Sequence, residues 1–256
     1  MADGGGMPAR KHGEAFVKTL VSVIAYNEEG NIRTTLEDLR SHNCGFDIVV
    51  IDNGSSDGTV AVCREIGVPV VSHCINTGGS MGTVTSYFNY AYQCGYECLC
   101  QFDGDGQHLA GELPKIIEPV RRGEADYVIG SRFLTGEGFQ STALRRVGIN
   151  SFSWLVSTIV GQKVTDVTSG FRAYSRHVIE FFGTHYQYEV HDTSQLLLLG
   201  HFGGARILEV PVRMKERAHG KSEYGLRDAI TFPLKGIINV TGALLQRQQI
   251  QQRRGH

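Results

Sequence analysis

The chain has no excess of either charge: 25 Lys and Arg stand against 26 Asp and Glu, a formal net charge of -1. No basic field surrounds the whole molecule, so nucleic acid is excluded as the expected partner and any anion must be met by local groups. The six cysteines, Cys44, Cys63, Cys74, Cys94, Cys98 and Cys100, form no paired CxxC spacing, which excludes the common zinc motifs. Several sit in apolar runs and are expected as buried free thiols in a reducing cytosol. The start, MADGGGMPARKHGE, has no apolar signal core, so residues 1–15 are expected as a disordered tail. The most hydrophobic late segment, AITFPLKGIINVTGALL at 229–245, carries Pro233 and Lys235 and is too short to span a bilayer. Neither GxGxxG nor GxxxxGKS/T is present in the Gly-rich stretch IDNGSSDGT, which excludes a dinucleotide or P-loop site there.

What is present is an alternation of apolar runs and helical patterns. With 256 residues, 41% hydrophobic and 20% charged, the chain can bury the core of one α/β domain. VKTLVSVIAY, DIVVID, VPVVSH, YECLCQFD and ADYVIGS read as strands. Helical patterns are expected in NEEGNIRTTLEDLRSHN, in TVAVCREIG, around Tyr87 to Cys94, and in ELPKIIEPVRRG. Continuous Val/Ile runs predict strands buried on both faces, hence a largely parallel, Rossmann-like sheet. After Arg132 a Gly-rich, basic connection runs to Asn150. It is followed by a helix at SFSWLVSTIVG, a short strand at SGFRAYSR, a helix near Asp192 to Gly200, and a strand at ARILEVPVRM. These elements are expected to complete the same sheet.

Three strand ends carry the chemistry. FDGDGQH at 102–108 places Asp103, Asp105 and the amide oxygen of Gln107 where an open α/β sheet binds ligands. Such oxygens suit a hard divalent cation that shares its remaining positions with substrate phosphate. AYNEEGN places Asn27 and Glu28 at the end of the first strand, where helix capping is the structural alternative. IDNGSSDGT offers Asp52 and Asn53 as hydrogen-bonding groups for a base or ribose. If the strands are neighbours, the three loops meet in one crevice.

In combination, AYNEE, IDNGSSDGT, FDGDGQH, VIGSRF, RR followed by Asn150, DVTSGFRAY and ILEVPVRMKER resemble one family. It is the inverting GT-A glycosyltransferases that include dolichol-phosphate mannose synthases and bacterial polyprenyl-phosphate glycosyltransferases. The resemblance implies a GT-A domain over 16–225, a mostly parallel sheet flanked by helices, and a C-terminal amphipathic helix and basic, Gln-rich tail over 226–256. It also implies transfer of a sugar from a UDP- or GDP-sugar to a polyprenyl phosphate, with Mg2+ or Mn2+. On the donor side it assigns Ala25, Tyr26, Asn27, Glu28, Asp52, Asn53, Asp103 and Gly104. Backbone N–H groups at Gly78 and Gly79 are added because NTGGSMGTVTSYFNYA lacks the basic residue common in relatives. Arg217 and Ser222 fall in a loop expected to close over the nucleotide. Asp103, Asp105 and Gln107 are assigned to the metal, with Asp105 counted as catalytic. Arg132, Arg145, Arg146, Ser169 and Arg172 are assigned to the acceptor phosphate, with Arg132 foremost; Arg172 and Asp166 are alternatively expected to pair with each other. Glu189 and Asp192 are the candidate bases or acceptor-orienting acids, and His191 is expected as a capping or core residue.

On a helical wheel Ile230, Leu234, Ile237, Ile238, Thr241, Leu244 and Leu245 share one stripe. It is expected to dock on the protein's own core or a partner, with contact to a lipid surface through 229–245 as the alternative. The implied location is cytoplasmic, peripheral at the cytoplasmic membrane face, and compatible with a homodimer or a membrane partner subunit. Rival readings are a transferase acting on a hydroxyl of a saccharide, natural product or protein, and a non-catalytic nucleotide-binding subunit of a membrane complex.

Overall fold

The apolar runs become strands β1 (Thr19–Ala25), β2 (Asp47–Asp52), β3 (Val70–Ser72), β4 (Cys98–Asp103), β5 (Tyr127–Ser131), β6 (Arg172–Ser175) and β7 (Ile207–Pro211). In this computed structural model, which describes residues 17–77, 80–134, 143–184, 192–216 and 226–254, they form one seven-stranded sheet in the order β3-β2-β1-β4-β6-β5-β7. All of β1 is buried, because alternate residues face opposite layers. Leu20 and Ile24 join the layer that contains Tyr87, Phe88 and Tyr174. Val21, Val23 and Ala25 join the other layer, with Leu36, Ile116 and Phe171. This two-sided burial explains why TLVSVIA shows no polar alternation.

Helices α1 (Ile32–Ser41), α2 (Thr59–Ile66), α3 (Val84–Gln93), α4 (Leu113–Arg121) and α7 (Thr193–Phe202) lie where the sequence places them. In α4, Leu113, Ile116, Ile117 and Val120 are the buried residues, the i, i+3, i+4, i+7 spacing of a helix with one face on a sheet. Two helices depart from expectation. Helix α5 (Ala143–Val160) starts within the segment expected to be a Gly-rich connection, and α6 (Arg176–Thr184) was not anticipated. Val178, Ile179 and Phe182 of α6 are buried, but the helix follows β6 directly, so its pattern merges with that of the strand.

β6 runs antiparallel to both neighbours, β4 and β5, whereas β1 pairs parallel with β2 and β4 and β5 pairs parallel with β7. The start of β6 therefore lies at the edge where β1, β2, β4, β5 and β7 end.

At that start Arg172 is 0% exposed. Its Nε donates to Ser169 O at 2.7 Å, its Nη2 to Val167 O at 2.8 Å, and its Nη1 to Thr193 O at 2.7 Å and to the Tyr127 hydroxyl. This corrects two expectations. The guanidinium is enclosed in the core, out of reach of an acceptor phosphate, and its partners are backbone carbonyls and a tyrosine; Asp166 pairs elsewhere. A charged, planar five-donor group is satisfied here by converging carbonyl dipoles.

The C-terminal helix α8 (Leu226–Arg254) contacts α7 and α5. Val240, Ala243 and Ile250 are buried, while Ile237, Ile238, Leu244 and Leu245 are exposed, Leu245 by 73%. The predicted stripe thus points outward where its side chains are described. Its docking face is the small-residue side, where Gly236 lies so close to α5 that an added Cβ would come within 2.7 Å of the Phe152 ring. Arg247 continues that face over the Phe202 ring at 5.4 Å. Of the cysteines, Cys63, Cys98 and Cys100 are buried free thiols, and Cys44, Cys74 and Cys94 are exposed.

Arg172→Met keeps the length of the side chain but strands its three carbonyl acceptors in the core. At about 1–3 kcal/mol for each unsatisfied group, urea unfolding should show a loss of at least about 3 kcal/mol. A loss under about 1 kcal/mol would contradict this structural role.

Candidate active site

Because β1 lies between β2 and β4, the loops after these three strands are adjacent, as the sequence required for a shared crevice. Backbone bonds join them: Asn53 N donates to Ala25 O at 2.9 Å, and Gly104 N to Ile24 O at 2.8 Å. Asn27 adopts a left-handed backbone, φ 53°, which Asn tolerates better than most residues. Its Oδ1 accepts from Ser56 N at 2.8 Å, and its N–H donates to Ser55 Oγ at 2.9 Å. Glu28 is buried and accepts from Asn31 Nδ2 at 2.7 Å, while its N–H donates to Thr59 Oγ1 at 2.8 Å. Tyr26, preceding them, is half-buried.

Asp52 closes a turn on its own loop by accepting from Ser55 N at 3.1 Å. Asn53 is 1% exposed. Its Oδ1 accepts from Thr77 N at 3.2 Å and Thr77 Oγ1 at 2.7 Å and meets His73 Nδ1 at 3.1 Å; its Nδ2 donates to Asn76 at 3.1 Å. Both residues stand at the predicted edge, engaged in holding the loops.

The DGDGQ turn is built on two glycines. A Cβ at Gly104 would meet Ile24 O at 2.9 Å, and Gly106 takes φ 78°. Asp105 Oδ1 accepts from Gln107 N at 3.0 Å. Gln107 O accepts from Lys215 N at 2.9 Å, Gln107 Nε2 donates to Lys215 O at 3.4 Å, and His108 bridges to Met214. The segment after β7 is thereby tied to this turn. Below it, a Cβ on Gly170 would come within 3.0 and 3.3 Å of the two Asp103 carboxylate oxygens, so bare backbone forms the floor.

His108, quoted in the motif but given no role, is buried. It stacks on Phe171 at 4.7 Å and meets Phe102 edge-on at 5.2 Å. Its Nδ1 accepts the Asp103 backbone N–H at 2.9 Å, which places the ring proton on Nε2, 3.4 Å from Asp103 Oδ2. Burial pushes its pKa down to about 4; the Asp105 charge opposes the shift and Arg132 adds to it. A neutral imidazole with a fixed tautomer therefore orients Asp103 from behind.

Asp103, a third exposed at its side chain, Asp105 and the Gln107 amide supply only oxygen donors. Among the described residues, no group of three or more His, Cys, Asp or Glu could hold a metal. The donor set fits a hard cation that completes its shell with substrate oxygens, and does not fit a closed structural site.

Arg132 follows β5, two strand positions from β4 across β6, or about 10 Å. Its Nε and Nη2 each donate to the Asp166 carboxylate at 2.7 Å, and Nη2 also donates to Thr168 Oγ1 at 2.9 Å. Burial works against the Arg132 charge, but Asp166 and then Asp103 outweigh it and hold the pKa above the ordinary value. Burial likewise disfavours the Asp166 carboxylate, and Arg132 more than compensates, keeping it below the usual range.

Two further expectations are corrected. Ser169 is buried, with its hydroxyl donating to Gly130 O at 2.6 Å, so it braces the turn. Asp192 caps α7, accepting from Gln195 N at 2.7 Å and Ser194 Oγ at 2.6 Å, while its other oxygen accepts from Asn239 Nδ2. Both of its oxygens serve the fold. Arg145 and Arg146 lie on α5 with side chains outside the described residues, as do Gly78, Gly79, Glu189, His191, Arg217 and Ser222 entirely. Sequence reasoning set Asp166 against Arg172 and passed over Thr168, whereas both hold Arg132; DVTSGFR contained the two residues but not their partner.

Comparison with known proteins accords with this geometry. The model of glycosyl transferase family 2 matches residues 20–182. The UDP-N-acetylglucosamine--dolichyl-phosphate N-acetylglucosaminyltransferase of Methanococcus voltae is 29% identical over 208 residues, covering 74% of this chain and 82% of its own. The polyprenol monophosphomannose synthase of Mycolicibacterium smegmatis is 30% identical over 219 residues, covering 80% of each chain. Glucosyl-3-phosphoglycerate synthase from Mycobacterium tuberculosis, solved in complex with Mn2+ and uridine-diphosphate-glucose, shares the fold with a TM-score of 0.62 at 18% identity, covering 88% of this chain and 78% of that one.

The His108 ring makes a prediction about stability. The unfolded chain binds a proton near the ordinary histidine value of 6.5 and the folded one only near 4, so between these values the unfolded state carries more protons and stability rises with pH. The contribution is fully present above about 6.5 and is lost as pH falls toward 4, an order of about 3 kcal/mol. In His108→Phe, urea unfolding between pH 4 and 7 should lose this component of the slope; an unchanged slope would contradict the buried neutral ring.

Proposed function

The chain belongs to glycosyl transferase family 2, and on that premise we propose that it transfers a sugar, with inversion, from a UDP- or GDP-sugar to a polyprenyl phosphate. The observation that carries this reading is the placement of two groups at one sheet edge. An oxygen-only loop of Asp103, Asp105 and Gln107 ends β4, and a fixed guanidinium, Arg132, ends β5. The relatives named for dolichyl phosphate and polyprenol support a lipid phosphate as acceptor.

Mg2+ or Mn2+, held by Asp103, Asp105 and the Gln107 amide oxygen, would neutralise charge on the departing nucleoside diphosphate. The chain's own part is orientation. His108 and the Gly170 floor hold Asp103. Asp166 and Thr168 hold the Arg132 guanidinium, so little side-chain freedom remains to be lost when it meets the acceptor phosphate. A phosphate oxygen forms the bond to the anomeric carbon as the bond to the nucleoside diphosphate breaks. With a second pKa near 6, that phosphate is anionic at neutral pH and needs no general base, in keeping with Asp192 serving as a helix cap.

The acceptor's lipid would lie along the exposed apolar side chains of α8 and neighbouring α5. Trp154 is 71% exposed on α5, and Ile237, Ile238, Leu244 and Leu245 are exposed on α8. Among the described residues no helix is long and apolar enough to cross a membrane; the contact proposed, on the exposed apolar side chains, is peripheral and at the cytoplasmic face.

Two measurements test this. With a panel of UDP- and GDP-sugars plus Mn2+, product should form only when a short-chain polyprenyl phosphate is added, and Asp105→Ala should abolish it, a fall of at least about a hundredfold. Product without lipid phosphate would redirect the acceptor to a hydroxyl, and nucleotide binding without turnover would favour a non-catalytic role. Trp154 is the single tryptophan, so its fluorescence should shift to the blue with anionic vesicles, and Ile238→Glu with Leu245→Glu should suppress the shift. An unchanged spectrum would remove the membrane contact.

A further inference from the structure

Glu209 has no part in the site as described so far. It lies on β7, in register with Ile129 of β5. Its carboxylate accepts from Thr165 N at 3.0 and 2.9 Å, from Thr165 Oγ1 at 2.9 Å, and from Asp166 N at 2.7 Å. The Thr165 hydroxyl also meets Ser131 Oγ at 2.9 Å. Two successive backbone N–H groups on one carboxylate fix the peptide planes on both sides of Thr165, a strong charge-assisted arrangement. The direction in which Asp166 leaves the backbone is thereby set from β7.

Asp166, 0% exposed at its side chain, in turn takes the Arg132 backbone N–H at 3.2 Å as well as its guanidinium. Two parallel neighbouring strands thus grip one turn from two sides: residue 132, after β5, holds the side chain of Asp166, and Glu209, on β7, holds its backbone.

We propose that Glu209 is a positioning residue for the acceptor phosphate, acting through Thr165 and Asp166 to set the orientation of Arg132. The proposal rests on the reading that Arg132 meets that phosphate. A purely electrostatic role has the opposite sign. A carboxylate lessens the positive charge that a site offers an anion, so if Glu209 acted only by charge, neutralising it would strengthen the attraction for an anionic acceptor.

The test is steady-state kinetics of the full chain with Mn2+, a short-chain polyprenyl phosphate and the active donor sugar nucleotide. The variants are Glu209→Asp, Glu209→Gln, Arg132→Lys and the double variant Glu209→Gln with Arg132→Lys. Glu209→Asp, which keeps the charge but withdraws it by one methylene, should raise the acceptor KM about tenfold, and Glu209→Gln by a smaller factor, consistent with the loss of an orienting partner. The donor KM should stay within about twofold, and the double variant should be no worse than Arg132→Lys alone, as expected for residues in one network.

A donor KM that rises as much as the acceptor KM, additive effects, or a lower acceptor KM in Glu209→Gln would each overturn the positioning role. An Arg132→Lys variant with an unaltered acceptor KM would overturn the acceptor reading itself; an impaired Arg132→Lys beside unaffected Glu209 variants would overturn only the role of Glu209. Should Glu209→Asp fail to fold, Thr165→Val, which removes one hydroxyl from the relay, must show the same split between acceptor and donor KM.

Discussion

Reversing a single strand places its beginning where its neighbours end. β6 is inserted antiparallel between β4 and β5, so the turn that leads into it arrives at the ligand-binding edge of the sheet. An all-parallel arrangement would have carried that turn to the opposite edge, because parallel strands need a long crossover to return. The contacts between β4 and β5 at that edge follow. Gly170 lies against Asp103, Asp166 reaches Arg132, and Ser169 closes onto Gly130. Arg172, the first residue of the strand, ties the turn to α7 through Thr193.

Two arginines near the same sheet edge solve different problems. Among the described residues Arg172 donates to three carbonyls and the Tyr127 hydroxyl and to no carboxylate, an arrangement suited to holding a turn. Arg132 is paired with a fully buried carboxylate but keeps 19% of its side chain exposed. Buried ion pairs contribute little net stability, since desolvation offsets the Coulombic attraction; what this pair supplies is orientation. A guanidinium held in one plane presents its charge at the edge in one direction, while the neutral His108 behind Asp103 does the same for a carboxylate without adding a cation.

The outer face of α8 follows from the same economy of packing. Its small residues approach α5 and α7, because a helix with Gly and Ala on one side can come closest there. The larger Ile and Leu side chains are left outside, and Trp154 of α5 is exposed as well. An apolar surface of this kind marks a partner or lipid contact more often than a defect.

The sequence by itself determined the strands, the three loops at their ends and the oxygen-donor motif, because hydrophobic continuity and short turn motifs are local properties. The resemblance of those motifs to one glycosyltransferase family was legible for the same reason. Which of the two arginines takes Asp166 and which is enclosed in the core was not, since Arg132 and Arg172 have similar polar and glycine surroundings in VIGSRF and SGFRAYSR. Only the tertiary structure decided between them: the pairing of Asp166 with Arg132, the burial of Arg172 and the outward turn of the α8 stripe all depend on the direction of β6 and on helix-to-helix distances. Those are set by contacts between residues far apart in the chain, and no local pattern encodes them.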